Sequence, residues 1–280
     1  MTLIRTFSED CLLDDFSHHV VAVHPRQISD SEDSWEVHFK STQIMKGVER
    51  LMWTQEDRSL RETYNHIPEG SVLAGWIFKK IAGNVFIKGW KGTAPQITRM
   101  VSGNPDSNSP VFSTDPSSSS SPLELRIRTA EEVVFAPKRG IPVVTLNEGK
   151  FYVPSATNNP LFDFFAVHQD PGHDTIDQDR VRYTFVISIY QITITESHGG
   201  SALGYSKIHK IIGHVDKLLE GRRNPKVEVK IKVRYYLVCP ADEVERKWTM
   251  PSGWKENIKT IDHRGEVFCI RVPDLQPLGT

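Results

Sequence analysis

The residues that decide the fold lie between Leu161 and Glu220. Two stretches carry the pattern, Leu-Phe-Asp-Phe-Phe at 161–165 and Tyr-Thr-Phe-Val-Ile-Ser-Ile-Tyr-Gln-Ile-Thr-Ile-Thr at 183–195. A polar loop separates them, and His198 with two glycines follows the second. The apolar spacing over 201–220 then predicts an amphipathic helix. The order strand, strand, helix indicates an α/β fold.

Polar side chains are placed so that they can converge at one end of this pattern. Side chains two apart share one face of a strand. Gln191, Thr193 and Thr195 therefore point to the same side of the second strand. Asp163 is a single acid inside the first, apolar strand. We expect Asp163 to meet this polar row on a neighbouring strand.

Asp163 is the first candidate for chemistry, because strand interiors disfavour aspartate and a buried carboxylate requires a partner or a metal ion. Hard divalent cations bind carboxylate and carbonyl oxygens. Asp163 and Gln191 are thus candidate ligands for Mg²⁺. The alternative is an aspartate at a strand edge, hydrogen-bonded to the backbone.

Two further residues complete the candidate site. Thr193 offers a hydroxyl, but it cannot replace a lysine that stabilises developing charge. His198 is a candidate general base or phosphate contact. The alternatives are a threonine-rich strand with a solvated face and a loop histidine with neither role. The acid-rich loop at 168–179 lacks the spacing of an EF-hand, so we interpret it as a solvated connector.

The charge pattern predicts a basic surface on a chain whose net charge is only −1. Residues 1–69 have a balance of −6, whereas residues 207–234 have a balance of +6. Local positive charge attracts phosphate even when the total is neutral. The candidate nucleic-acid contacts are Lys207, Lys210, Arg222, Arg223, Lys230, Lys232 and Arg234. The alternative is that these are solvated faces, and that Lys207 and Lys210 are ordinary helix lysines.

Several classes are disfavoured by what the sequence lacks. There is no phosphate-binding glycine loop, dinucleotide-binding motif, zinc-protease motif or nucleophile elbow. The three cysteines include no Cys-x-x-Cys pair, so we expect an intracellular, reducing compartment. The first eleven residues carry Arg5, Glu9 and Asp10, and they do not read as a secretory signal peptide. We expect no membrane span.

The rest of the chain supplies elements of both types. Strands are predicted at 16–24, 34–39, 123–128, 131–136, 142–146, 150–153, 227–238 and 265–271, and helices at 42–53, 55–64 and 71–84. Serine, proline and asparagine dominate 102–122, which we expect to be a mobile, dispensable insertion. In the strand at 227–238, Lys230, Lys232 and Arg234 alternate with apolar residues, which predicts a basic outer face.

Three segments resemble the C-terminal region of Crinkler and RHS-type (retrotransposon hot spot) proteins. They are Val37-His-Phe-Lys-Ser41 with the helix after it, Gly75-Trp-Ile-Phe78-Lys79, and the set of Asp163, Gln191-Ile-Thr193 and His198. The resemblance covers about residues 35–240. It implies a restriction-endonuclease-like PD-(D/E)XK domain in an effector or conflict toxin that reaches the nucleus and acts on DNA.

The chain departs from that family's pattern at two positions. Lys79 stands where the family's helix usually has glutamate, and Thr193 stands where active enzymes usually have lysine. The family's usual ATPase is also missing. The resemblance therefore fits a divergent or inactive member, or the C-terminal portion of a longer protein.

The sequence as a whole predicts a central mixed sheet flanked by helices, compatible with the α-β-β-β-α-β core of PD-(D/E)XK proteins. Residues 1–69 form a lead-in segment, and residues 70–280 form the nuclease-like domain. Two functions follow. In one, Asp163 and Gln191 hold Mg²⁺ in a nuclease that acts on DNA. In the other, the same fold is an inactive module that binds protein or nucleic acid.

Overall fold

The computed structural model divides the chain into two compact units, Met1–Ile81 with Asp274–Thr280, and Ala82–Pro273. The division falls at residues 81 and 82, whereas the sequence suggested one at 69 and 70. The residues that the structure describes are 21–26, 34–39, 47, 57–65, 72–89, 93–114, 119–122, 131–136, 149–155, 161–177, 180–222, 226–242, 244–255 and 266–273.

The first unit contains a two-stranded antiparallel sheet and helical segments. Its described elements are β1 (Val21–Arg26), β2 (Ser34–Phe39), α1 (Asp57–Tyr64) and the first part of α2 (Val72–Lys88). These confirm the strand predicted at 34–39 and the helices predicted at 55–64 and 71–84, and β1 contains residues 21–24, the described part of the strand predicted at 16–24. The helix predicted at 42–53 lies outside the described residues apart from residue 47, which is helical.

Helix α2 continues beyond the end that the sequence indicated. The prediction stopped it at residue 84, near Gly83, but the helix runs to Lys88. A glycine inside a helix costs only ~1 kcal/mol relative to alanine, and this is too little to end a helix whose next turn is buried. Phe86 supplies that burial. Gly89, with a φ of 79°, ends the helix in the left-handed conformation that glycine favours.

In the part of the chain that the structure describes, the second unit contains a mixed sheet of eleven strands. From one edge to the other, the spatial order is β10 (Ser197–His198), β12 (Lys247–Thr249), β4 (Val111–Thr114), β3 (Gln96–Val101), β13 (Glu266–Val272), β11 (Val227–Pro240), β9 (Arg180–Ile192), β8 (Phe164–Asp177), β7 (Lys150–Pro154) and β6 (Glu131–Phe135), with β5 (Ser121–Pro122) paired to β3. Helix α3 (Leu203–Leu219) connects β9 to β11. The α/β class with a large mixed sheet is confirmed.

Three strands at the centre of the sheet run in the same direction. β11 is parallel to both β9 and β13, while β9 is antiparallel to β8, and β8 is antiparallel to β7. A parallel pair requires a crossover connection, and α3 provides it between β9 and β11. The carboxyl ends of β9, β11 and β13 therefore lie side by side, at the same end of these three strands.

The two faces of the sheet bury different side chains. The face under α3 carries the aliphatic core, in which Ile187, Ile189 and Leu237 are fully buried. The opposite face carries a row of stacked rings formed by Phe164, Tyr190, Tyr236 and Phe268, with Phe86 of α2 packed 5.1 Å from the ring of Tyr190. Strict alternation along each strand produces this separation.

The insertion predicted at 102–122 is wrong for its described part. Val111–Thr114 forms β4, which pairs with β12 and β3, and Phe112 is buried against Trp254. The preceding turn is also anchored, because Ser109 Oγ donates to the carbonyl of Met250 and Pro110 accepts from the Met250 amide. The described part of the segment packs, so its deletion is expected to lower stability.

Asn108 is expected to stabilise this turn, because its Oδ1 accepts a hydrogen bond of 2.7 Å from the Gly253 amide. Asn108→Ala should lower the free energy of unfolding by about 1 kcal/mol, the usual net value of one hydrogen bond. Asp106→Ala, an exposed position in the same turn, is the control and should change it by less than about 0.5 kcal/mol. Urea denaturation of both variants measures the difference, and equal midpoints would contradict the packing.

The polar connector predicted at 168–179 is also wrong. β8 continues to Asp177 and β9 begins at Arg180, so the two strands form one long antiparallel hairpin with irregularities in its pairing. Charged residues are tolerated there because strand pairing satisfies the backbone whatever the side chains are. The strands predicted at 131–136, 150–153, 227–238 and 265–271 are confirmed. Those predicted at 123–128 and 142–146 lie outside the described residues.

Candidate functional site

The candidate site lies where two neighbouring parallel strands break at the same level. β9 ends at Ile192 and its path resumes as β10, while β11 ends at Pro240 and its path resumes as β12. β10 and β12 are again parallel, with Ser197 opposite Lys247. We call this region, between Ile192 and Ser197 on one path and between Pro240 and Lys247 on the other, the strand break.

Backbone hydrogen bonds close the strand break on both sides. The Thr193 amide donates to the Val238 carbonyl at 2.9 Å, and the Lys247 amide donates to the Glu196 carbonyl at 2.7 Å. The two segments are therefore hydrogen-bonded to each other on both sides of the break. Such a kink at the carboxyl ends of parallel strands is where α/β proteins commonly build their sites.

Asp163 and Gln191 converge at the carboxyl end of β9, as the sequence predicted. Gln191 Nε2 donates to Asp163 Oδ2 at 2.8 Å, and the Ile192 amide donates to the same oxygen at 2.7 Å. Asp163 itself stands one residue before β8, and its amide donates to the Tyr190 carbonyl. Both side chains are buried, with 7% and 8% of their surfaces exposed. The carboxylate thus joins the start of β8 to the end of β9.

The direction of the bond between Asp163 and Gln191 matters for chemistry. Gln191 presents its amide nitrogen to the carboxylate, so its carbonyl oxygen is not beside Oδ2. Oδ2 accepts from the side chain of Gln191 and from the backbone of Ile192. A divalent ion at Oδ2 would have to displace one of these donors, and Gln191 would have to turn its amide to supply an oxygen ligand.

Thr193 and Thr195 lie beyond the end of the strand, whereas the sequence predicted that the strand includes both. β9 ends at Ile192, and the Thr193 hydroxyl accepts from the Thr195 amide at 3.1 Å and lies 2.8 Å from the Thr195 hydroxyl. Thr195 Oγ1 in turn donates to the Ser197 carbonyl. Threonine hydroxyls compete with regular pairing in this way. The two threonines form the turn at the strand break.

His198 lies beyond this turn, in β10 rather than in a free loop. Its ring centroid is 6.5 Å from that of Trp248 in an edge-on contact. Burial lowers the pKa of His198 below its ordinary value, and the negative charge of Asp163 opposes the shift without reversing it. The imidazole is therefore neutral at neutral pH, the state in which it accepts a proton.

The predicted basic residues do not form one surface. α3 packs on the face that carries Val233, Tyr235 and Leu237. Lys230, Lys232 and Arg234 alternate with those residues along β11, so they project from the opposite face. Lys207 and Lys210 are on α3 itself. Arg222 follows α3 in a short 3-10 turn, and Arg223 lies outside the described residues.

Acidic neighbours reduce the basic character of the β11 face. Arg234 Nε donates to Glu266 at 2.7 Å, and a second guanidinium nitrogen lies 3.8 Å from Asp170. Burial alone would raise the pKa of Glu266, but the hydrogen bond and charge of Arg234 bring it below the ordinary value. Arg182 is likewise 3.0 Å from Glu228. This face carries paired charges, as the solvated-face alternative expected.

Helix α3 carries a separate row of basic side chains. Lys207, Lys210, His214 and Lys217 are spaced by three, four and three residues, so they lie on one face of the helix. The buried residues of α3 lie on the other side. Lys210 and Lys217 are exposed, and Lys207 is half-buried, which lowers its pKa. We call these four residues the α3 basic row.

Sequence reasoning missed a cluster that supports the strand break. Arg246 is 2% exposed, its Nη1 donates to the Ile194 carbonyl at 3.0 Å, and its Nη2 binds the carboxylate of Asp242. Arg271 binds both the carbonyl and the carboxylate of Asp242. The signal was weak, since Asp242 and Arg246 stand between predicted strands and Arg271 is the last residue of the strand predicted at 265–271, positions where solvated side chains are usual.

The residues present supply few donors for a metal ion. Among the described residues, no three His, Cys, Asp or Glu side chains are grouped as a metal site requires. Asp163 gives one carboxylate, and Mg²⁺ binds proteins through one or two carboxylates together with waters and phosphates. Asp163 with a turned Gln191 would give the minimum set, but the hydrogen bonds described above already occupy Oδ2.

Comparison with family models, with curated proteins and with solved structures gives no match for this chain. Within the described part of the chain, none of the helices combines the length and the apolar character that a membrane-spanning helix requires.

Proposed function

We propose that residues 82–273 form a restriction-endonuclease-like domain that binds DNA without cleaving it, in a Crinkler/RHS-like effector-type protein. The observation that carries the proposal is the contact of Gln191 Nε2 and the Ile192 amide with Asp163 Oδ2. This contact lies at the carboxyl end of β9, where the resemblance implies a nuclease site. Two hydrogen-bond donors, however, stand where a metal ion would neutralise the carboxylate.

The order of the elements supports the fold part of the proposal. The end of α2, the strands β7, β8 and β9, then α3 and β11 occur in the order α-β-β-β-α-β, with β3 to β6 inserted after α2 and β10 inserted after β9. β8 pairs antiparallel with both β7 and β9, and β11 pairs parallel with β9. Asp163 precedes the second of the three strands and Gln191 closes the third, as the resemblance implies.

The residue types at the site support binding rather than cleavage. Glutamine replaces a second carboxylate at position 191, which removes one negative charge that would attract a divalent ion. Thr193 makes the turn at the strand break and offers no positive charge. Each change weakens a metal-dependent reaction and leaves the fold intact.

The α3 basic row is the surface that we assign to the phosphate backbone. Its lysines repeat along one helix face, on which Lys210 and Lys217 are exposed; Asp216 lies about a quarter turn away from Lys217, and Glu220 follows Lys217 by three residues at the end of the row. Lysine contacts with phosphates release counterions and provide affinity without sequence specificity. The paired charges on the β11 face make that side the weaker candidate.

A Mg²⁺-dependent nuclease is the second candidate function. The neutral His198 favours it, because activation of water requires a base that can accept a proton. If Mg²⁺ binds, Asp163 and a turned Gln191 would hold it, and the ion would supply Lewis-acid stabilisation of the phosphate charge. Because both functions involve DNA, the same proposal includes location in a nucleus, either that of the cell that makes the protein or that of a host cell.

We expect the protein to bind duplex DNA at about 50 mM salt and to lose affinity steeply as salt rises, because phosphate contacts dominate. Lys210→Glu with Lys217→Glu should weaken binding more than tenfold and reduce the salt slope. The matched control on the other face is Lys230→Glu with Lys232→Glu, which should change affinity little. Fluorescence anisotropy with two unrelated duplexes measures both, and a larger effect of the control pair would move the surface to β11.

Plasmid nicking with Mg²⁺ and with Mn²⁺ decides between the two functions. The unchanged chain should leave the plasmid supercoiled. Gln191→Glu with Thr193→Lys restores the family's residue types and is the matched variant for gain of cleavage. Nicking by the unchanged chain that is lost in Asp163→Ala would establish the nuclease and reject the binding-only proposal.

A further inference from the structure

Two cysteines meet behind the strand break. Cys239 near the end of β11 and Cys269 in β13 lie on neighbouring parallel strands, and their side chains share the face under α3. Their sulfur atoms are 3.3 Å apart, and both side chains are fully buried. The site described above uses neither thiol, so the pair requires its own account.

The surroundings make the two sulfurs unequal. The hydrogen bond with Cys269 lowers the pKa of Cys239; burial opposes this shift, and the guanidinium groups of Arg246 and Arg271 add to it. The same hydrogen bond and burial raise the pKa of Cys269. Cys239 is therefore the sulfur that ionises first, and Cys269 keeps its proton. A thiolate beside a thiol is the arrangement from which a disulfide forms.

We propose that Cys239 and Cys269 form a reversible disulfide when the chain meets hydrogen peroxide, and that this bond regulates the strand break. The Cys239 thiolate attacks one peroxide oxygen and the O–O bond breaks. Cys239 becomes a sulfenic acid, and the departing hydroxide takes up one proton and leaves as water. The Cys269 sulfur then attacks the sulfenic sulfur, and the hydroxyl leaves as water with the Cys269 proton. Two thiols are oxidised and one peroxide is reduced to two waters.

The covalent bond would act on the site through short connections. Val238, next to Cys239, accepts the hydrogen bond from the Thr193 amide. Arg271 is opposite Cys239 in the strand register and holds Asp242, which binds Arg246, and Arg246 holds the Ile194 carbonyl. The sulfurs must approach from 3.3 Å to about 2.05 Å. The movement shifts the ends of β11 and β13 beneath the strand break.

Peptide mapping of the folded, full-length chain tests the bond. The protein is treated with hydrogen peroxide, the remaining thiols are blocked with N-ethylmaleimide, and trypsin is added. Cleavage yields peptide 235–246 with Cys239 and peptide 265–271 with Cys269. We expect these two peptides to be linked and to separate after dithiothreitol. Recovery of both as blocked thiols, or linkage of either to Cys11, would reject the pair.

The proposed regulation of the strand break rests on the proposed function only for its biological consequence, and the experiment that tests the regulation uses no DNA. Hydrogen exchange of the Thr193 and Lys247 amides is compared between the oxidised and reduced chain. We expect at least a threefold change in exchange rate, which Cys269→Ala should abolish. Unchanged exchange in a chain that carries the linked peptide would overturn the regulation. Loss of DNA binding in both redox states would count against the proposed function alone.

Discussion

Gly204→Ala is expected to destabilise the protein strongly. A Cβ atom at this position would lie 2.2 Å from the Cβ of Leu161, a distance that real side chains do not reach. Leu161 is fully buried, so α3 or the segment before β8 must move. Overpacking of this kind costs about 3 kcal/mol or more, well above the gain of ~1 kcal/mol that alanine gives in a helix. The thermal midpoint should fall by ~6–12 °C.

Gly213→Ala provides the matched control on the same helix. A Cβ atom at Gly213 meets nothing within 4 Å, so only the helix preference of alanine remains. The midpoint of this variant should stay equal or rise, by up to ~1 kcal/mol of unfolding free energy. Calorimetry on the two variants measures the contrast. Similar midpoints for both would show that α3 does not approach Leu161 as closely as described.

The close approach at Gly204 is what ties the helix to the site. Leu161 stands two residues before Asp163, and Gly204 is in the first turn of α3. Any side chain at 204 would force either α3 or the segment that carries Asp163 to move. Glycine is therefore required here for space and not for a special backbone angle. This requirement belongs to a long-range contact, so the local sequence pattern did not show it.

The parts of the fold that the sequence predicted are those with strong periodicity. α3 has its buried residues at helical spacing, and β11 alternates over most of its length. The convergence of Asp163 and Gln191 was also predicted, because one isolated acid and one polar row stood at the ends of apolar strands. In each case a local pattern carried the information, and the tertiary structure agreed with it.

The parts that failed depend on pairing between distant residues. β4 has four residues and a single large buried ring, Phe112, inside a serine-rich and proline-rich segment. Its partner β12 is more than a hundred residues away, with Val111 opposite Thr249. Composition dominated the local reading, whereas the structure is decided by the burial of Phe112 against Trp254. No local window contains both members of such a pair.

The basic surface shows a different limit. The apolar stripe of α3 and the apolar side of β11 were both predicted, and the two must pack together to be buried. That packing sends Lys230 and Lys232 to the far side of the sheet from Lys210. The two patterns together already contained this consequence, but charge counted along the chain does not distinguish one face of a sheet from the other. The net charge of a segment is therefore a weak guide to a binding surface.

Asp163→Ala is expected to cost ~2–4 kcal/mol of unfolding free energy, because it leaves two buried donors, Gln191 Nε2 and the Ile192 amide, without their acceptor. The control Asp163→Asn keeps an oxygen at the same place. It replaces hydrogen bonds to a charge by weaker neutral ones, so its cost should be about 1 kcal/mol. Urea denaturation at neutral pH measures both.

The ratio of these two effects separates a structural carboxylate from a metal ligand. If Asp163 mainly accepts hydrogen bonds at the junction of β8 and β9, asparagine preserves most of the stability and DNA binding, and added Mg²⁺ changes neither. If Asp163 holds a metal ion, the neutral amide is as damaging as alanine, and Mg²⁺ stabilises only the unchanged chain, by mass action. Equal losses in both variants, together with a midpoint that rises with Mg²⁺ concentration, would replace the binding proposal with the nuclease.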